Sequence, residues 1–221
     1  MGMGTLMEAK FSARSHSPNL RPISIIIPCR NETRGTLIRA MQKLRASLGD
    51  YLIDAIIVEN GSDNLDGIPD TRYYFVEEGG LGLALKIGLM KAAEERVFFL
   101  PADMSYDLTF VELAEYLDGA DIVIASKFMP GSRVERPFSR MVASRLYELK
   151  NRYLEGVKVS DVTGAKMFKR STVLPLLSEG PHLGIRFEID LILAAQKKKL
   201  RIEEVPAIVH DYGKGGLFRW L

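Results

Sequence analysis

Residues 97–107 read VFFLPADMSYD, and this stretch decides the fold because it joins a buried strand to a polar loop. Its first four residues form a short apolar run rich in β-forming side chains, which predicts an interior strand. The loop starts at the carboxyl end of that strand, which is the edge where open α/β sheets bind ligands. Asp103 in this loop has two readings. It can hold a divalent cation against phosphate groups, or it can cap the segment that follows.

Apolar runs and amphipathic stretches alternate through the first half of the chain. The runs predict strands at 24–27, 54–58, 73–76, 96–100 and 122–125, and the amphipathic stretches predict helices at 36–48, 83–93 and 110–117. Strands that alternate with helices are typical of βαβ units with right-handed crossovers. The sequence therefore predicts an α/β fold with a mostly parallel central sheet and helices on both of its faces.

The pattern changes after residue 125. Residues 128–140 contain two prolines and a glycine, which predicts an irregular loop. After it, the pattern predicts a long amphipathic helix at 140–154, a turn into an edge strand at 161–169, a helix at 187–197 and a strand at 201–205. Residues 1–22 are mixed and polar and are predicted to be a loose tail. We expect one domain over 23–221, with a nucleotide-binding half at 23–125 and an acceptor half at 126–221.

Composition narrows the class of protein. The chain has 221 residues, of which 47% are hydrophobic and 26% charged, and its formal net charge is +2. This charge is too small to indicate nucleic-acid binding. The single cysteine, Cys29, excludes an internal disulfide and fits a reducing compartment. The sequence has no apolar run of membrane-spanning length and no apolar signal-peptide centre near its start. These features predict a cytoplasmic protein, peripheral on a membrane at most.

Four polar or glycine-containing corners follow the predicted strands. They are PCRNE at 28–32, ENGSD at 59–63, GGLG at 79–82 and AD at 102–103. Their order and spacing resemble the corners P-x-Y-N-E, V-D-D-G-S, G-L-G and D-A-D of the family 2 glycosyltransferases. The resemblance implies a GT-A, Rossmann-like fold that binds a nucleotide sugar.

Four segments of the second half resemble a narrower group, the polyprenol-phosphate sugar synthases, to which dolichol-phosphate mannose synthase belongs. The segments are SKF at 126–128, RMVASR at 140–145, DVTGAK at 161–166 and EEVP at 203–206. The resemblance implies transfer of a hexose, mannose or glucose, from a GDP- or UDP-linked donor to a polyprenyl or dolichyl phosphate. It also implies inversion at the anomeric carbon and assistance by a metal ion.

The corners imply a nucleotide site. Arg30 stands where the family usually has tyrosine, so a guanidinium plane replaces the aromatic ring against the base. Glu32 is expected to accept hydrogen bonds from the nucleoside, although a carboxylate at a helix start also has a purely structural explanation. The glycines permit close approach to a ligand, and tight turns require them as well. The expected nucleotide-binding residues are Pro28, Arg30, Glu32, Glu59, Gly61, Gly80, Gly82, Ala102 and Asp103.

The D-A-D corner implies a site for Mg²⁺ or Mn²⁺. Asp103 matches its second carboxylate, whereas Pro101 stands in place of the first and has no ligand atom. Ser105 matches a third, weaker ligand position. The expected metal ligands are therefore Asp103 and Ser105, with binding weakened by Pro101. The substitution also leaves open a second function, that of a catalytically impaired sugar-nucleotide or lipid-phosphate binding protein.

The second half implies a site for the acceptor phosphate. Arg140 and Ser144 are four residues apart and thus on one helix face, although a basic solvated face would look the same. His210 is also compatible with a structural role. The expected acceptor-phosphate residues are Lys127, Arg140, Ser144, Lys214 and His210, and the expected catalytic residues are Asp103, Lys127 and Arg140.

Two basic and apolar segments suit contact with a membrane surface. One is 134–141 with its neighbouring arginines, and the other is the tail 217–221, which contains the only tryptophan. Tryptophan and arginine are favoured at the lipid–water interface. The expected partners are therefore a nucleotide sugar, a polyprenyl or dolichyl phosphate and a peripheral membrane surface, with no nucleic acid.

Overall fold

The computed structural model describes residues 22–48, 53–61, 65–77, 80–107, 116–179, 184 and 186–210. Seven strands form one central sheet in the order β3-β2-β1-β4-β7-β5-β8. Its strands are β1 (Ile23–Cys29), β2 (Ile53–Asn60), β3 (Arg72–Val76), β4 (Arg96–Phe99), β5 (Ile122–Ser126), β7 (Ala165–Lys169) and β8 (Ile202–Pro206). Only β7 runs antiparallel to its neighbours in this sheet. The prediction of an α/β fold with a mostly parallel sheet is confirmed.

Helices pack on both faces of this sheet, as the sequence predicts. The helices of the described residues are α1 (Arg34–Leu48), α2 (Leu81–Lys91), α3 (Phe138–Leu154), the short α4 (Arg170–Val173) and α5 (Phe187–Lys197), and a 3₁₀ segment spans Leu174–Glu179. The apolar face of α1 joins one buried cluster and those of α2 and α5 join a second. Neighbouring residues of β1 alternate between the two clusters, as the period of two in a strand requires. Residues 108–115, which hold most of the helix predicted at 110–117, lie outside the described residues, and so do residues 1–21 of the predicted tail.

Helix α2 lies unusually close to β1. A Cβ atom built on Gly88 would be 2.4 Å from Cγ2 of Ile26, whereas real Cβ atoms do not approach so closely. Gly88 is buried in α2, and its missing side chain allows the helix to pack directly on the strand. The glycine in this helix is therefore required by packing.

The edge strand predicted at 161–169 is an interior strand. Strand β7 lies between β4 and β5, and the edge position on this side belongs to β8. The Lys166 side chain in this strand is buried. Its ammonium donates to the carbonyl of Gly164 at 2.8 Å and to the carboxylate of Glu188. Because these two partners compensate its charge, Lys166 can lie in the interior, although the sequence alone suggests a solvent-exposed lysine.

A second, two-stranded sheet pairs β6 (Arg133–Glu135) with β9 (Ile208–His210) in parallel. The loop predicted at 128–140 thus contains a short strand. Strand β9 also fixes the loop after β4. The amide of Asp107 donates to the carbonyl of Ile208 at 2.9 Å, and the amide of His210 donates to that of Ser105 at 2.8 Å. The backbone that carries Asp103 is therefore held between the two sheets.

Candidate functional site

A cavity of about 390 Å³ lies at the carboxyl edge of the sheet, where parallel strands place ligand sites. The loops after β1, β4 and β5 contribute to its wall, and so do α3 and α5. Strand β7 runs the other way, so its beginning reaches this same edge and adds Thr163, Gly164 and Ala165. The predicted site residues that line the cavity are Pro28, Arg30, Glu32, Ala102, Asp103, Ser105, Lys127, Arg140 and Ser144.

The loop after β4 places Asp103 and Ser105 side by side in the wall. The amide of Ser105 donates to Oδ1 of Asp103 at 3.0 Å, and Met104 between them has a left-handed φ of 52°. The Asp103 carboxylate thus organises the local turn, and Asp103 also lines the cavity; that it holds a cation stays a prediction. No group of three or more His, Cys, Asp and Glu side chains suited to a metal is found among the described residues. A metal at this corner therefore needs ligands from elsewhere.

The glycines of the corner before α2 that the structure describes are Gly80 and Gly82. Gly80 is the N-cap of α2, and its carbonyl accepts from the amides of Leu83 and Ala84 at 3.1 and 3.2 Å. The cavity is instead lined by Leu81 and Leu85 of the same helix. Neither Gly80 nor Gly82 is part of the lining. Their predicted role in nucleotide binding stays a prediction, and their turn-forming role is observed for Gly80.

Glu59, at the end of β2, is fully buried and lies outside the cavity lining. Its Oε2 accepts from the hydroxyl of Tyr73 and, at 3.2 Å, from the amide of Leu65. The other carboxylate oxygen, Oε1, is buried without a hydrogen-bond partner among the described residues. Burial and the Glu59 carboxylate together raise the pKa of Tyr73 to about 12. The roles of Glu59 and of nearby Gly61 in nucleotide binding remain predictions.

Lys127 lies just after β5 and is buried against the cavity. Its ammonium donates to Oδ1 of Asp161 and the hydroxyl of Tyr106, each at 2.9 Å, and to the hydroxyl of Thr163 at 3.3 Å. Burial lowers the pKa of this lysine, but Tyr106 and Asp161 outweigh it, so the pKa lies above its ordinary value. Three protein partners thus use the three protons of the ammonium. Its predicted catalytic role and its predicted contact with the acceptor phosphate stay predictions.

Helix α3 brings the other acceptor residues to the cavity. Arg136, just before the helix, donates from Nη1 to the hydroxyl of Ser144 at 2.9 Å, and Arg140 lines the cavity beside them. His210 does not line it. The Nδ1 atom of His210 is 2.7 Å from Oε2 of Glu135, across the β6–β9 pair. Lys214, the remaining acceptor residue, lies outside the described residues.

Two glutamates that the sequence interpretation missed also line the cavity. Glu148 on α3 accepts from the amide of Val162 at 3.1 Å, and its Oε2 is buried without a partner among the described residues. Burial raises the pKa of Glu148 to about 7. Glu188 on α5 binds the buried ammonium of Lys166. Glu148 could have been found from its helical spacing with Arg140 and Ser144. Glu188 could not, because its partner Lys166 is distant in sequence.

Comparison with protein families gives one match over most of the chain. The model described as glycosyl transferase family 2 matches residues 24–174. A polyprenol monophosphomannose synthase from Mycolicibacterium smegmatis is 34% identical over 102 residues, covering 43% of this chain and 38% of the relative. Glycosyltransferase AglD from Haloferax volcanii is 24% identical over 203 residues, covering 83% of this chain and 32% of the relative. The chain thus spans about a third of the length of these relatives.

Solved structures share the fold at low sequence identity. A mycobacterial protein superposes with a TM-score of 0.64 at 21% identity, over 90% of this chain and 70% of the other. Mannosyl-3-phosphoglycerate synthase from Rubrobacter xylanophilus superposes with a TM-score of 0.62 at 17% identity, over 87% of this chain and 68% of the other. These similarities confirm the GT-A fold that the resemblance of the corners implies.

Proposed function

Because the chain belongs to glycosyl transferase family 2, we propose that it transfers a hexose from a nucleoside-diphosphate sugar to a polyprenyl phosphate in this cavity. One observation carries the proposal: a single cavity is lined by the carboxylate of Asp103 and by the guanidinium groups of Arg136 and Arg140. The first suits the diphosphate of a donor through a bridging cation. The other two suit a phosphate acceptor. The partial similarity to a polyprenol monophosphomannose synthase supports the acceptor class.

The residues present fit a divalent cation that is shared with the donor. Asp103 and Ser105 supply one carboxylate and one hydroxyl to the same wall. Mg²⁺ commonly binds through one or two carboxylates and takes its other ligands from substrate phosphates and water. Asp103 and Ser105 would hold Mg²⁺ or Mn²⁺ in this way. When bound, the ion supplies charge neutralisation for the departing nucleoside diphosphate.

The reaction needs few protein groups because the acceptor is itself an anion. A phosphate oxygen of the acceptor attacks the anomeric carbon and forms the new C–O bond. The bond from that carbon to the diphosphate oxygen breaks, and the diphosphate leaves with the electron pair. A single displacement of this kind inverts the anomeric configuration. No proton has to be removed from an ionised phosphate, so the site requires no general base.

Three basic side chains have separable tasks in this reaction. Arg136 and Arg140 orient the acceptor phosphate and offset its charge, and Arg136 also fixes Ser144 in the wall. Lys127 holds Tyr106, Asp161 and Thr163 together under the cavity. Ordered donors of this kind stabilise the transition state because they require no rearrangement during the reaction. The proposed donors are nucleotide sugars in which mannose or glucose is linked to GDP or UDP.

A thermal-shift titration tests the donor half of the proposal. GDP and UDP are added with and without Mn²⁺ to the wild type and to Asp103→Asn. We expect stabilisation by one nucleotide that increases with Mn²⁺ in the wild type and loses its metal dependence in the variant. Ser171→Ala, a change at an exposed hydroxyl that binds Glu95, serves as the control with unchanged metal dependence. If the nucleotide raises the unfolding temperature equally with and without Mn²⁺, and equally in the wild type and in Asp103→Asn, the proposed metal site is contradicted.

A binding protein without transferase activity is the second candidate, and Pro101 favours it. Pro101 lines the cavity in place of an expected carboxylate, so Asp103 is the one carboxylate that the described part of the loop after β4 contributes to the cavity lining. Binding of a nucleotide or of a lipid phosphate without formation of a glycosylated product identifies this function.

A further inference from the structure

The inner face of α3 carries a carboxyl group that has no task in the reaction described above. Arg140, Ser144 and Glu148 follow one another at intervals of four residues, and all three line the cavity. They therefore lie along one side of the helix. Ser144 and Glu148 are about 6 Å apart along the helix axis, so one phosphate group can contact both side chains.

One oxygen of Glu148 lacks the hydrogen bond that its burial calls for. Glu148 is 5% exposed. Its Oε1 accepts from the amide of Val162 at 3.1 Å, which fixes the carboxyl group, whereas Oε2 is buried with no hydrogen-bond partner among the described residues. A buried polar atom without a partner is costly, and nearly all such atoms in folded proteins have one. A ligand in the cavity can supply the missing partner.

The charged groups that face Glu148 from other elements cancel in pairs. Lys127 follows β5, Asp161 precedes β7 and Lys166 lies in β7, and all three act on the Glu148 carboxyl. Lys127 is already bound to Asp161, and Lys166 is bound to Glu188 of α5. Each pair has no net charge, and each lysine already has a carboxylate partner. The protonation of Glu148 therefore sets the charge at this end of the cavity.

We propose that Glu148 binds the acceptor phosphate in its protonated form, donating a hydrogen bond from its Oε2 hydroxyl to a phosphate oxygen that lies beside Arg140 and Ser144. The proposal rests on the proposed function, because the ligand is the acceptor of that reaction. A carboxylic acid has one O–H donor, and its hydrogen bond to an anionic oxygen is short and strong. The proton stays on Glu148 throughout. The ionised carboxylate would instead repel the phosphate.

Burial makes the protonated form available near neutral pH. It raises the pKa of Glu148 to about 7, so about half of the molecules carry this proton at pH 7 and about one in a hundred at pH 9. The second pKa of a phosphate monoester is about 6, so the acceptor is mainly a dianion over this interval. A change of acceptor affinity between pH 7 and pH 9 therefore reports the proton on Glu148.

Calorimetric titration with a short, water-soluble polyprenyl phosphate tests this contact without any transfer reaction. We expect the Kd of the wild type to rise at least about tenfold from pH 7 to pH 9, because only the protonated fraction binds well. By linkage, binding at pH 8 should take up about one proton per acceptor, which is measured from the binding heat in buffers of different ionisation enthalpy. A wild-type Kd that is the same at pH 7 and pH 9 overturns the proposal.

Glu148→Gln imitates the protonated carboxyl at every pH. Its carbonyl oxygen can keep the contact with the Val162 amide, and its side-chain nitrogen is a permanent donor in place of the Oε2 hydroxyl. We expect this variant to bind the acceptor equally well at pH 7 and pH 9, without proton uptake. Glu155→Gln, at the C-cap of α3 and outside the cavity lining, should keep the pH dependence of the wild type.

The two variants also define the results that contradict the proposal. A folded Glu148→Gln protein that no longer binds the acceptor at pH 7 overturns it, and so does one whose Kd still rises tenfold with pH. Loss of the pH dependence in Glu155→Gln overturns it as well, because the dependence would then not belong to Glu148. The wild-type titrations are decisive even if Glu148→Gln fails to fold.

Steady-state kinetics separate this proposal from the proposed function. From pH 7 to pH 9, the KM for the acceptor should rise in the wild type and stay constant in Glu148→Gln, while kcat has the same pH profile in both proteins. Acceptor binding with the expected pH dependence but without hexose transfer supports the Glu148 contact and contradicts the proposed function. Transfer with a KM that depends on pH alike in both proteins supports the function and overturns the contact. Failure of the polyprenyl phosphate to bind at any pH overturns both.

Discussion

Lys127 and Asp161 are joined twice: the Lys127 amide donates to Oδ2 of Asp161 at 2.8 Å, and its ammonium donates to Oδ1 at 2.9 Å. Both side chains are buried. The pair connects the end of β5 to the segment that enters β7, and both segments form the cavity wall. Burial raises the pKa of Asp161, but the Lys127 charge outweighs it and holds that pKa below its ordinary value. The cavity floor therefore depends on a buried ion pair.

Removing one partner of this pair is expected to be costly. Lys127→Met leaves Asp161 buried without its counter-charge, which costs about 3–5 kcal/mol. Adding Asp161→Asn to that variant should restore much of the stability, because the buried charge is then gone. Denaturant unfolding of the two variants measures this. Arg45→Met, at an exposed pair with Asp70, should cost less than about 1 kcal/mol. A double variant no more stable than Lys127→Met would contradict the assignment.

Glu148 is expected to make stability depend on pH in an unusual direction. Burial raises the pKa of this carboxyl from its ordinary value to about 7, so the folded state holds the proton more tightly than the unfolded state. The protein should therefore lose stability as pH rises from about 4.5 to 7, by up to about 3 kcal/mol. Glu148→Gln should remove this loss and exceed the wild type in stability at pH 8, with no gain at pH 4.5.

Glu155→Gln provides the matched control for that measurement. Arg186 lowers the pKa of Glu155, so its contribution to stability is present at neutral pH and is lost as pH falls through the folded pKa. Glu155→Gln should therefore lower the stability at pH 8, whereas Glu148→Gln should raise it. Unfolding of both variants at pH 4.5 and pH 8 distinguishes the two carboxyls. Equal effects of the two substitutions on the pH dependence would contradict the burial of Glu148.

Gly88 and Gly35 are both in helices but should respond differently to alanine. The Cβ of Gly88→Ala would press on Ile26 in the core, and overpacking of this kind costs about 1–3 kcal/mol. At Gly35 the nearest atom to an added Cβ is the end of the Arg39 side chain at 3.4 Å. Gly35→Ala should therefore be neutral or stabilise α1 by about 0.5–1 kcal/mol. Thermal unfolding of the two variants checks the packing of α2 on β1.

Arg140→Ala should separate the two halves of the cavity. Arg140 belongs to α3, whereas the proposed donor corner belongs to the loops after β1 and β4. We expect the variant to raise the KM for the acceptor at least tenfold and to leave the Kd of the nucleotide within about twofold. Lys158→Ala, an exposed lysine beyond α3, should change neither quantity. An equal loss of acceptor use and nucleotide binding would contradict the division of the site.

The strands and the position of the corners that follow them could be predicted because their signals are local. Apolar runs identify β1, β2, β4 and β5, and the corners that follow them fall at the sheet edge by topology alone. The position of β7 could not be predicted, since Lys166 gains its partner Glu188 only in the folded chain. The same holds for Lys127: sequence shows a cation, while the fold shows that Asp161, Tyr106 and Thr163 already bind it. Likewise, the sequence does not show that the Glu59 carboxylate accepts a hydrogen bond from the hydroxyl of Tyr73.

Product formation tests the central claim most directly. The wild type and Asp103→Asn are incubated with GDP-mannose or UDP-glucose, Mn²⁺ and a short polyprenyl phosphate, and the lipid product is analysed by mass spectrometry. The account predicts a polyprenyl phosphate heavier by one hexose with the wild type, and at least a hundredfold less with Asp103→Asn, since one missing transition-state contact costs about that much. Nucleotide binding by the wild type without any hexosylated lipid, for either donor, would contradict the account.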